Sequence, residues 1–285
     1  MAKSKAPDMD EKAANYGDRL KHALLLETLE RTGDWPGVVY AETHAGAGVY
    51  RAGDQSGDRY IDDLRQKVEK ADAAATGAGA AYLTWLKGWW SDAANRESYP
   101  GSALTALRWL QRHRPGSPLD IRVTEYDAAT CGRLRQALGS DACVKQESFA
   151  KELDWLTGEQ NLVLLVDPFG CVTSFVGAGR GLDDGWIDRA TVTDILRRCA
   201  GKDRAVISLW WGFGQALRDH HQATCGLLTG WAQQHGNAVC RVFHDKRNHA
   251  NALVGIGGGA NVVRGVPRRA DWAASWLRDA VYEKA

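Results

Sequence analysis

Apolar residues recur along the chain at two different spacings, and these predict alternating helices and strands. A helical spacing from about residue 11 to 30 is followed by a short β-branched and aromatic run at 37–41. The run at 162–166 is apolar throughout, as in a strand buried on both faces. The predicted strands are 37–41, 121–126, 143–147, 162–166, 205–210, 238–244 and 253–256, and the predicted helices are 11–30, 127–138, 149–156, 184–199, 215–235 and 269–282.

Strands that alternate with helices predict an α/β fold, in which a mostly parallel sheet is covered on both faces. No helix separates the last two strands, so we expect them to pair antiparallel at one edge of the sheet. Residues 51–118 break the alternation with an alanine and glycine passage, three tryptophans and a helix that ends near His113. We therefore expect a single domain over residues 1–285 with an inserted, mainly helical subdomain at 51–118.

Composition limits the classes of partner. The 36 basic and 35 acidic residues leave a net charge of +1, which is not the strongly basic balance of many nucleic-acid-binding domains. Three local clusters could still form a basic face. They are Arg108/Arg112/Arg114, Arg197/Arg198/Lys202/Arg204 and Arg264/Arg268/Arg269.

The cysteines and the N-terminal residues bear on compartment. The six cysteines are scattered without a C-x-x-C pair, so we expect reduced thiols and no metal site. Residues 1–12 are polar, and no apolar stretch is long enough to cross a membrane. We expect a cytoplasmic protein with no membrane partner.

Candidate chemistry lies where strands end, because ligands of open α/β sheets bind beyond the carboxyl ends of the strands. After the first strand, Gly46 and Gly48 let the backbone approach a nucleotide-like ligand closely. Arg51 stands where a dinucleotide fingerprint would have its third glycine, and the chain has no P-loop. A purely structural turn is the alternative interpretation of these glycines.

Two acids end later strands. Glu125 could accept hydrogen bonds from ribose hydroxyls, and a solvated strand-end acid is the alternative. Asp167 follows the buried strand and precedes Pro168, so a carboxylate and a carbonyl oxygen could together hold the two hydrogens of an amine. A turn or helix-cap aspartate is the alternative there.

Five motifs together resemble the bacterial large-subunit ribosomal RNA methyltransferases that act on the exocyclic amine of adenine. They occur in the same order over nearly the whole chain, and T-H-A-G-A-G and Y-P-G-S are specific to that family. The motifs are N-Y-G-D-R-L-K-H at 15–22, E-T-H-A-G-A-G-V-Y at 42–50, Y-P-G-S at 99–102, T-E at 124–125 and D-P at 167–168.

The resemblance implies a Rossmann-like class I methyltransferase sheet and S-adenosylmethionine as cofactor. It also implies that the long insertion is a family feature, that Asp167 is the catalytic carboxylate with Pro168 beside it, and that Tyr16 could reach the substrate. The implied cofactor contacts, together with Gly46 and Gly48, are Lys21, His22, His44, Ser102, Glu125, Glu147 and Ser148.

The chain departs from that family at its fourth motif. The family has D-P-P-Y, whose aromatic ring stacks on the flipped adenine, whereas this chain has Asp167-Pro168-Phe169-Gly170. Phe169, or a tryptophan such as Trp89 or Trp90, could serve as the stacking platform, since base stacking contributes about 1–3 kcal/mol. We also expect the Trp210-Trp211 pair to face the crevice.

Three hypotheses remain from sequence. The first is an RNA adenine methyltransferase, and the second is a methyltransferase of the same fold acting on a small molecule or a protein. The third is a non-catalytic module that binds the cofactor. The sequence D-P-F-G also resembles three-Cys-motif partner proteins, which keeps the acceptor open.

Overall fold

A computed structural model describes most of the chain. The described residues are 13–51, 58–71, 79–149, 153–158, 161–168, 170–172, 186–212, 218–244, 249–267, 272 and 282–283. Within them, no helix is both long enough and apolar enough to cross a membrane.

One eight-stranded sheet organises the fold. Its strands, in spatial order, are β12-β10-β11-β9-β6-β1-β4-β5. Strand β11 pairs antiparallel with both β9 and β10, and β12 pairs antiparallel with β10. The other neighbours pair parallel. The bounds are β1 Val38–Glu42, β4 Leu119–Thr124, β5 Cys143–Lys145, β6 Leu162–Val166, β9 Arg204–Gly212, β10 Ala238–His244, β11 His249–Gly257 and β12 Tyr282–Glu283.

This order confirms the predicted class I methyltransferase sheet. The chain starts at the centre with β1, builds outward to β5, returns through β6 and β9, and then inserts the reversed strand β11 beside β9. Every predicted strand is present within a few residues of its expected bounds. The last two predicted strands, β10 and β11, pair antiparallel as expected, and β12 pairs antiparallel with the outer side of β10.

Helices cover the sheet on both faces. Two buried clusters lie on its opposite sides, one built around α1 and α4 and the other around α6 and α7. The first helix begins at Tyr16 because the Asn15 side chain accepts hydrogen bonds from two backbone N–H groups of its first turn. The bounds are α1 Tyr16–Arg31, α2 Asp58–Lys70, α3 Ala80–Ser91, α4 Ser102–His113, α5 Ala128–Leu138, α6 Arg189–Cys199, α7 Arg218–Gln234 and α8 Gly258–Gly265.

The range 51–118 contains more than an insertion. A two-stranded antiparallel ribbon, β2 Val49–Arg51 with β3 Ser98–Pro100, brackets the helices α2 and α3. The helix α4 then connects the ribbon back to the sheet at β4, as a crossover helix does. We propose that the inserted subdomain is the part between the two ribbon strands, and that α4 belongs to the main domain.

The structure corrects two predicted helices, and a third lies largely outside the described residues. Residues 186–188, expected within a helix over 184–199, form the strand β8 Trp186–Asp188, which pairs in parallel with β7 Gly170–Val172. Asp188 caps α6 by accepting from the Thr191 N–H, so the helix begins only at 189. Of the expected helix 149–156, only a 3-10 turn at Leu153–Leu156 is present among the described residues. The helix expected at 269–282 lies largely outside the described residues, and Tyr282 itself is in strand β12.

Candidate functional site

The carboxyl ends of β1, β4, β6 and β9 meet at one edge of the sheet because these strands run in the same direction. Glu42, the last residue of β1, and Thr43 lie at the centre of this edge. Glu125 follows β4, Asp167 follows β6, and Trp210 lies near the end of β9. The helix α1 crosses the same edge and brings Lys21 to it.

Lys21 and Asp167 form a buried ion pair. The Lys21 ammonium donates to Oδ2 of Asp167 and lies 3.1 Å from Oδ1 of Asp18. Burial disfavours the charge on Lys21, but the two carboxylates outweigh it and raise the pKa of Lys21 above its ordinary value. For Asp167, burial outweighs the attraction of Lys21 and raises the pKa of the carboxyl. The ammonium thus fixes the position of one Asp167 oxygen.

Trp210 lies beside this pair. Its ring centre is 5.7 Å from the Lys21 Nζ atom, and the ring stacks on His249 at a centroid distance of 5.5 Å. A Cβ atom on Gly17 would come within 2.7 Å of the Trp210 ring, so the absence of a side chain there lets α1 approach the indole. The Trp210 Nε1 atom is buried and has no hydrogen-bond partner among the described residues.

Trp211 does not share this environment, which corrects the expectation that both tryptophans face the crevice. Successive residues of a strand point to opposite faces of the sheet. Trp211 is therefore directed at α7, where its Nε1–H donates to Nδ1 of His221 at 3.2 Å.

Glu42 is a buried acid that the sequence prediction did not single out. Its side chain accepts hydrogen bonds from the Ser102 hydroxyl and, at 2.7 Å, from the Tyr40 hydroxyl. Burial raises the pKa of Glu42 to about 7, although both hydrogen bonds act in the opposite direction. Its position as the final residue of a buried strand, directly before the glycine turn, was the available indication in the sequence.

The glycine turn adopts the backbone conformation that the motif predicts. Gly46 and Gly48 have φ angles of 63° and 77°, in the left-handed region that favours glycine. The N–H of Gly46 donates to Oε2 of Glu125 at 3.0 Å, and the N–H of Asp127 donates to Oε1 at 2.9 Å. The structure thus brings the first-strand turn and the second-strand acid together across the insertion.

Three other predicted cofactor contacts have protein partners. His22 is hydrogen-bonded through Nδ1 to the Tyr99 hydroxyl at 2.7 Å, and burial lowers the pKa of His22 to about 3. His44 is bonded through Nδ1 to the Thr43 hydroxyl at 2.7 Å, and burial lowers its pKa to about 3 as well. Ser102, at the start of α4, donates to Glu42. Both imidazoles are therefore neutral at physiological pH.

The remaining predicted residues lie in different parts of the structure. Glu147 and Ser148 follow β5 at the far end of the sheet, where the Ser148 N–H donates to Oε1 of Glu147. Pro168 is buried directly after Asp167, whereas Phe169 lies outside the described residues. Tyr16 packs against the insertion side of α1, with its ring 4.8 Å from the Arg19 guanidinium carbon and 5.7 Å from Nζ of Lys67 in α2.

Two of the predicted basic clusters lie away from this edge. The end of α4 leads into β4 and the end of α6 leads into β9, so both clusters lie at the amino ends of the strands. Several of their cations also have partners within the chain. Arg197 and Arg198 pair with Asp194, Arg114 donates to carbonyl oxygens of the α1–β1 connection, and Lys202 donates to the Gly158 carbonyl.

Comparisons with known proteins agree with this architecture. The chain is 27% identical over 191 residues to Ribosomal RNA large subunit methyltransferase J of Escherichia coli (strain K12). That match covers 63% of this chain and 64% of the relative, slightly less than two thirds of its length. No family model matches the chain.

A solved structure supports the fold at low sequence identity. The crystal structure of protein LPL1258 from Legionella pneumophila is similar with a TM-score of 0.60 and 15% identity, covering 88% of this chain and 91% of that one. At this identity the similarity concerns the fold alone. The chain has the class I methyltransferase fold and is related in sequence to ribosomal RNA large subunit methyltransferase J, which confirms the predicted resemblance.

Proposed function

We propose that this protein is an S-adenosylmethionine-dependent methyltransferase that methylates an exocyclic amine, that of adenine in ribosomal RNA. The observation that carries the proposal is the position of Asp167. It directly follows the central strand β6, is held by Lys21, and lies at the same sheet edge as the glycine turn and Glu125. The sequence relationship to a ribosomal RNA methyltransferase supports the same substrate class.

The cofactor site that we propose lies between the glycine turn and the ends of β4 and β5. Gly46 and Gly48 give the turn its left-handed backbone conformation. The Glu125 carboxylate accepts from the N–H groups of Gly46 and Asp127, and its remaining lone pairs can accept from ribose hydroxyls. These features fit a nucleoside. The further proposed contacts are Lys21, His22, His44, Ser102, Glu147 and Ser148.

S-adenosylmethionine supplies an electrophilic methyl group when it is bound. The chain's own task is then to hold and deprotonate the acceptor. Lys21 occupies Oδ2 of Asp167, so Oδ1 is the oxygen that accepts one amine hydrogen, while the Pro168 carbonyl accepts the other. The acceptor nitrogen would become cationic on taking the methyl group, whose bond to the sulfonium sulfur breaks and leaves a neutral thioether, and the nitrogen would then release a proton to the Asp167 carboxylate or to water.

Trp210 is the aromatic platform that we propose for the acceptor, since it lies on the Lys21 side of β9. Phe169 and Tyr16 are proposed as additional substrate contacts. A flipped base stacked on Trp210 would compensate for the aromatic ring that D-P-F-G lacks at residue 170.

The alternative acceptor is a small molecule or a protein. The placement of two basic clusters at the opposite edge of the sheet favours it, because an RNA-binding face would be expected around Asp167. A cofactor-binding module without activity is the third candidate. An RNA substrate would place the protein in the cytoplasm.

The deciding experiment combines calorimetry with labelled-methyl transfer. The protein is titrated with S-adenosylmethionine and is then incubated with the labelled cofactor and either total RNA or an RNA-free cell extract. We expect saturable binding and label in RNA. Label only in the RNA-free fraction would support the alternative acceptor. Binding without transfer would support only the cofactor-binding module without activity. Absence of binding would overturn all three candidate functions.

Asp167→Asn separates catalysis from binding. We expect transfer to fall by at least about a hundredfold, because the variant keeps the shape but loses the carboxylate, while cofactor affinity changes little. Asp203→Asn is the matched control, since Asp203 is exposed at the amino end of β9. Unchanged transfer by Asp167→Asn would remove Asp167 from its proposed role.

A further inference from the structure

Three metal-ligating side chains meet on the α7 side of the sheet, away from the Lys21–Asp167 pair. His221 and Cys225 lie one turn apart in α7, and His244 is the last residue of β10. The Nε2 atoms of the two histidines are 3.3 Å apart, and the Cys225 Sγ atom is 3.8 Å from both ring nitrogens of His221. All three ligand atoms lie within 4.8 Å of one another.

These separations are close to the edges of a zinc tetrahedron. Bonds of about 2.0–2.1 Å from zinc to nitrogen and about 2.3 Å to sulfur, at tetrahedral angles, place two nitrogens about 3.3 Å apart and a nitrogen and a sulfur about 3.6 Å apart. The observed distances of 3.3 Å and 3.8 Å require only small movements of the side chains. Both α7 ligands share one helix face because their spacing is i, i+4.

We propose that His221, Cys225 and His244 bind one divalent transition-metal ion of the zinc class. Two imidazoles and one thiolate form a ligand set of intermediate softness, which suits Zn²⁺ and Co²⁺ and excludes Mg²⁺ and Ca²⁺. The three side chains fill three tetrahedral positions and leave the fourth for water or a further ligand. His244 is buried, whereas His221 and Cys225 are partly exposed, so an ion can enter from the α7 side.

Metal binding must break one hydrogen bond of the His221 ring. Trp211 Nε1–H donates to Nδ1 of His221, which places the hydrogen of a neutral His221 ring on Nε2, next to His244. Coordination through Nε2 moves that hydrogen to Nδ1 and breaks the Trp211 hydrogen bond. Coordination also releases the Cys225 thiol proton to solvent, and the three coordinate bonds offset the loss of the Trp211 hydrogen bond.

The ion would fasten the first turns of α7 to the end of β10. No metal site was predicted from the sequence, because His244 is separated from His221 by 23 residues and the chain has no C-x-x-C pair. The site lies on the α7 side of the sheet, where Trp211 points, whereas Trp210 points to the side of Lys21. Its proposed consequence is that α7 is held in place at the carboxyl edge of the sheet.

The test uses the full chain purified, stripped with EDTA and titrated with Zn²⁺ or Co²⁺. We expect one ion per chain by elemental analysis, a higher melting temperature with Zn²⁺, and a Co²⁺ spectrum with the visible bands of a tetrahedral site and a near-ultraviolet thiolate band. Less than half an ion per chain, or a Co²⁺ spectrum without the thiolate band, would overturn the proposal.

Variants assign the ligands. Cys225→Ser and His244→Ala should weaken binding more than about a hundredfold, since loss of even an outer-shell partner costs tenfold to a hundredfold. Cys143→Ser, which changes an exposed thiol elsewhere, should bind as the unaltered chain does. Each variant is compared by circular dichroism without metal, so that a loss of binding is separated from a loss of fold. Equal affinities for Cys225→Ser and Cys143→Ser would contradict the assignment.

Discussion

The Lys21 ammonium donates a hydrogen bond to the Asp167 carboxylate, and this contact joins two segments 146 residues apart in the chain. It connects the N-terminal helix α1 to the end of the central strand β6. Both side chains are largely buried, so neither charge is well solvated without the other. The pair therefore links the stability of the N-terminal segment to the position of the proposed catalytic acid.

A double-mutant cycle measures this link. Lys21→Met should destabilise the fold by about 3 kcal/mol, because it leaves the buried carboxylates of Asp167 and Asp18 without their cation. Asp167→Asn should cost less, since Asp18 remains as a partner for Lys21. The loss of unfolding free energy in the double variant should be smaller than the sum of the two single losses by about 1.5–3 kcal/mol, as measured by urea unfolding.

An exposed ion pair provides the control for this cycle. On α2, the Nη2 atom of Arg65 lies 2.7 Å from Oδ1 of Asp62, and the two side chains are 26% and 48% exposed, respectively. Their coupling energy in the cycle of Arg65→Met and Asp62→Asn should be below about 0.5 kcal/mol. Equal coupling in the two cycles would show that burial does not strengthen the Lys21–Asp167 pair.

A second prediction concerns the glycine turn. In Gly46→Ala the new Cβ would lie 1.9 Å from the Tyr50 hydroxyl, and the residue would keep a φ of 63°. We expect a loss of about 1–3 kcal/mol in unfolding free energy. Combining Gly46→Ala with Tyr50→Phe should recover part of the loss, because the clashing oxygen is removed.

Gly37→Ala is the matched control for the turn. A Cβ atom at Gly37 would meet nothing within 4 Å, and the substitution should change stability by less than about 1 kcal/mol. If thermal or urea unfolding gave the same small effect at both positions, the turn would not require glycine at 46.

The sequence predicted those parts of the fold that depend on local patterns. The apolar run at 162–166 matches β6, and Ala238–His244 matches β10 residue for residue. The ribbons β2–β3 and β7–β8 were missed, because each joins short segments across a long connection and neither segment has a pattern of its own. Trp186–Asp188 was assigned to the following helix for that reason.

The candidate site divides in the same way. Gly46, Glu125 and Asp167 lie at or just beyond the ends of predicted strands, so their common edge could be inferred from topology. The partners of these residues could not be. Whether Lys21 contacts Asp167, or Ser102 contacts Glu42, depends on how α1 and α4 pack on the sheet. The opposite directions of Trp210 and Trp211 follow from strand alternation, but only once both residues are known to lie within β9.

A third prediction follows from the neutral imidazole of His22. Its folded pKa of about 3 lies below the ordinary value of 6.5, so the unfolded chain binds the extra proton first as the pH falls. Stability from this group is complete above pH 6.5 and is lost progressively between pH 6.5 and 3. His22→Gln, which can still bond to Tyr99, should reduce the acid-dependent loss by about 1.4 kcal/mol per pH unit in that range.

Urea unfolding at half-unit intervals from pH 6.5 to 4 tests the His22 prediction. The relevant quantity is the difference between His22→Gln and the unaltered chain at each pH, because other groups titrate equally in both. A difference that stays constant across the range would mean that His22 is not kept neutral by burial.

Glu42 has the opposite dependence on pH. Its folded pKa of about 7 lies above the ordinary value of 4.5, so the folded chain holds the proton more tightly than the unfolded chain does. The contribution of Glu42 to the free energy of unfolding is complete below pH 4.5. It is lost as the pH rises through 7, by roughly 3 kcal/mol in total. Glu42→Gln keeps the shape and cannot ionise, so its stability relative to the unaltered chain should increase from pH 5 to pH 8.

Ser102 provides an independent check on this assignment. Its hydroxyl donates to Glu42 and holds the pKa of that carboxyl down. In Ser102→Ala the pKa of Glu42 should rise further, and the loss of stability should extend to higher pH than in the unaltered chain. In the Glu42→Gln background the same substitution should not change the shape of the pH profile, because the carboxyl whose pKa it would shift is absent. If Ser102→Ala changed the profile equally in both backgrounds, a group other than Glu42 would be responsible for the pH dependence.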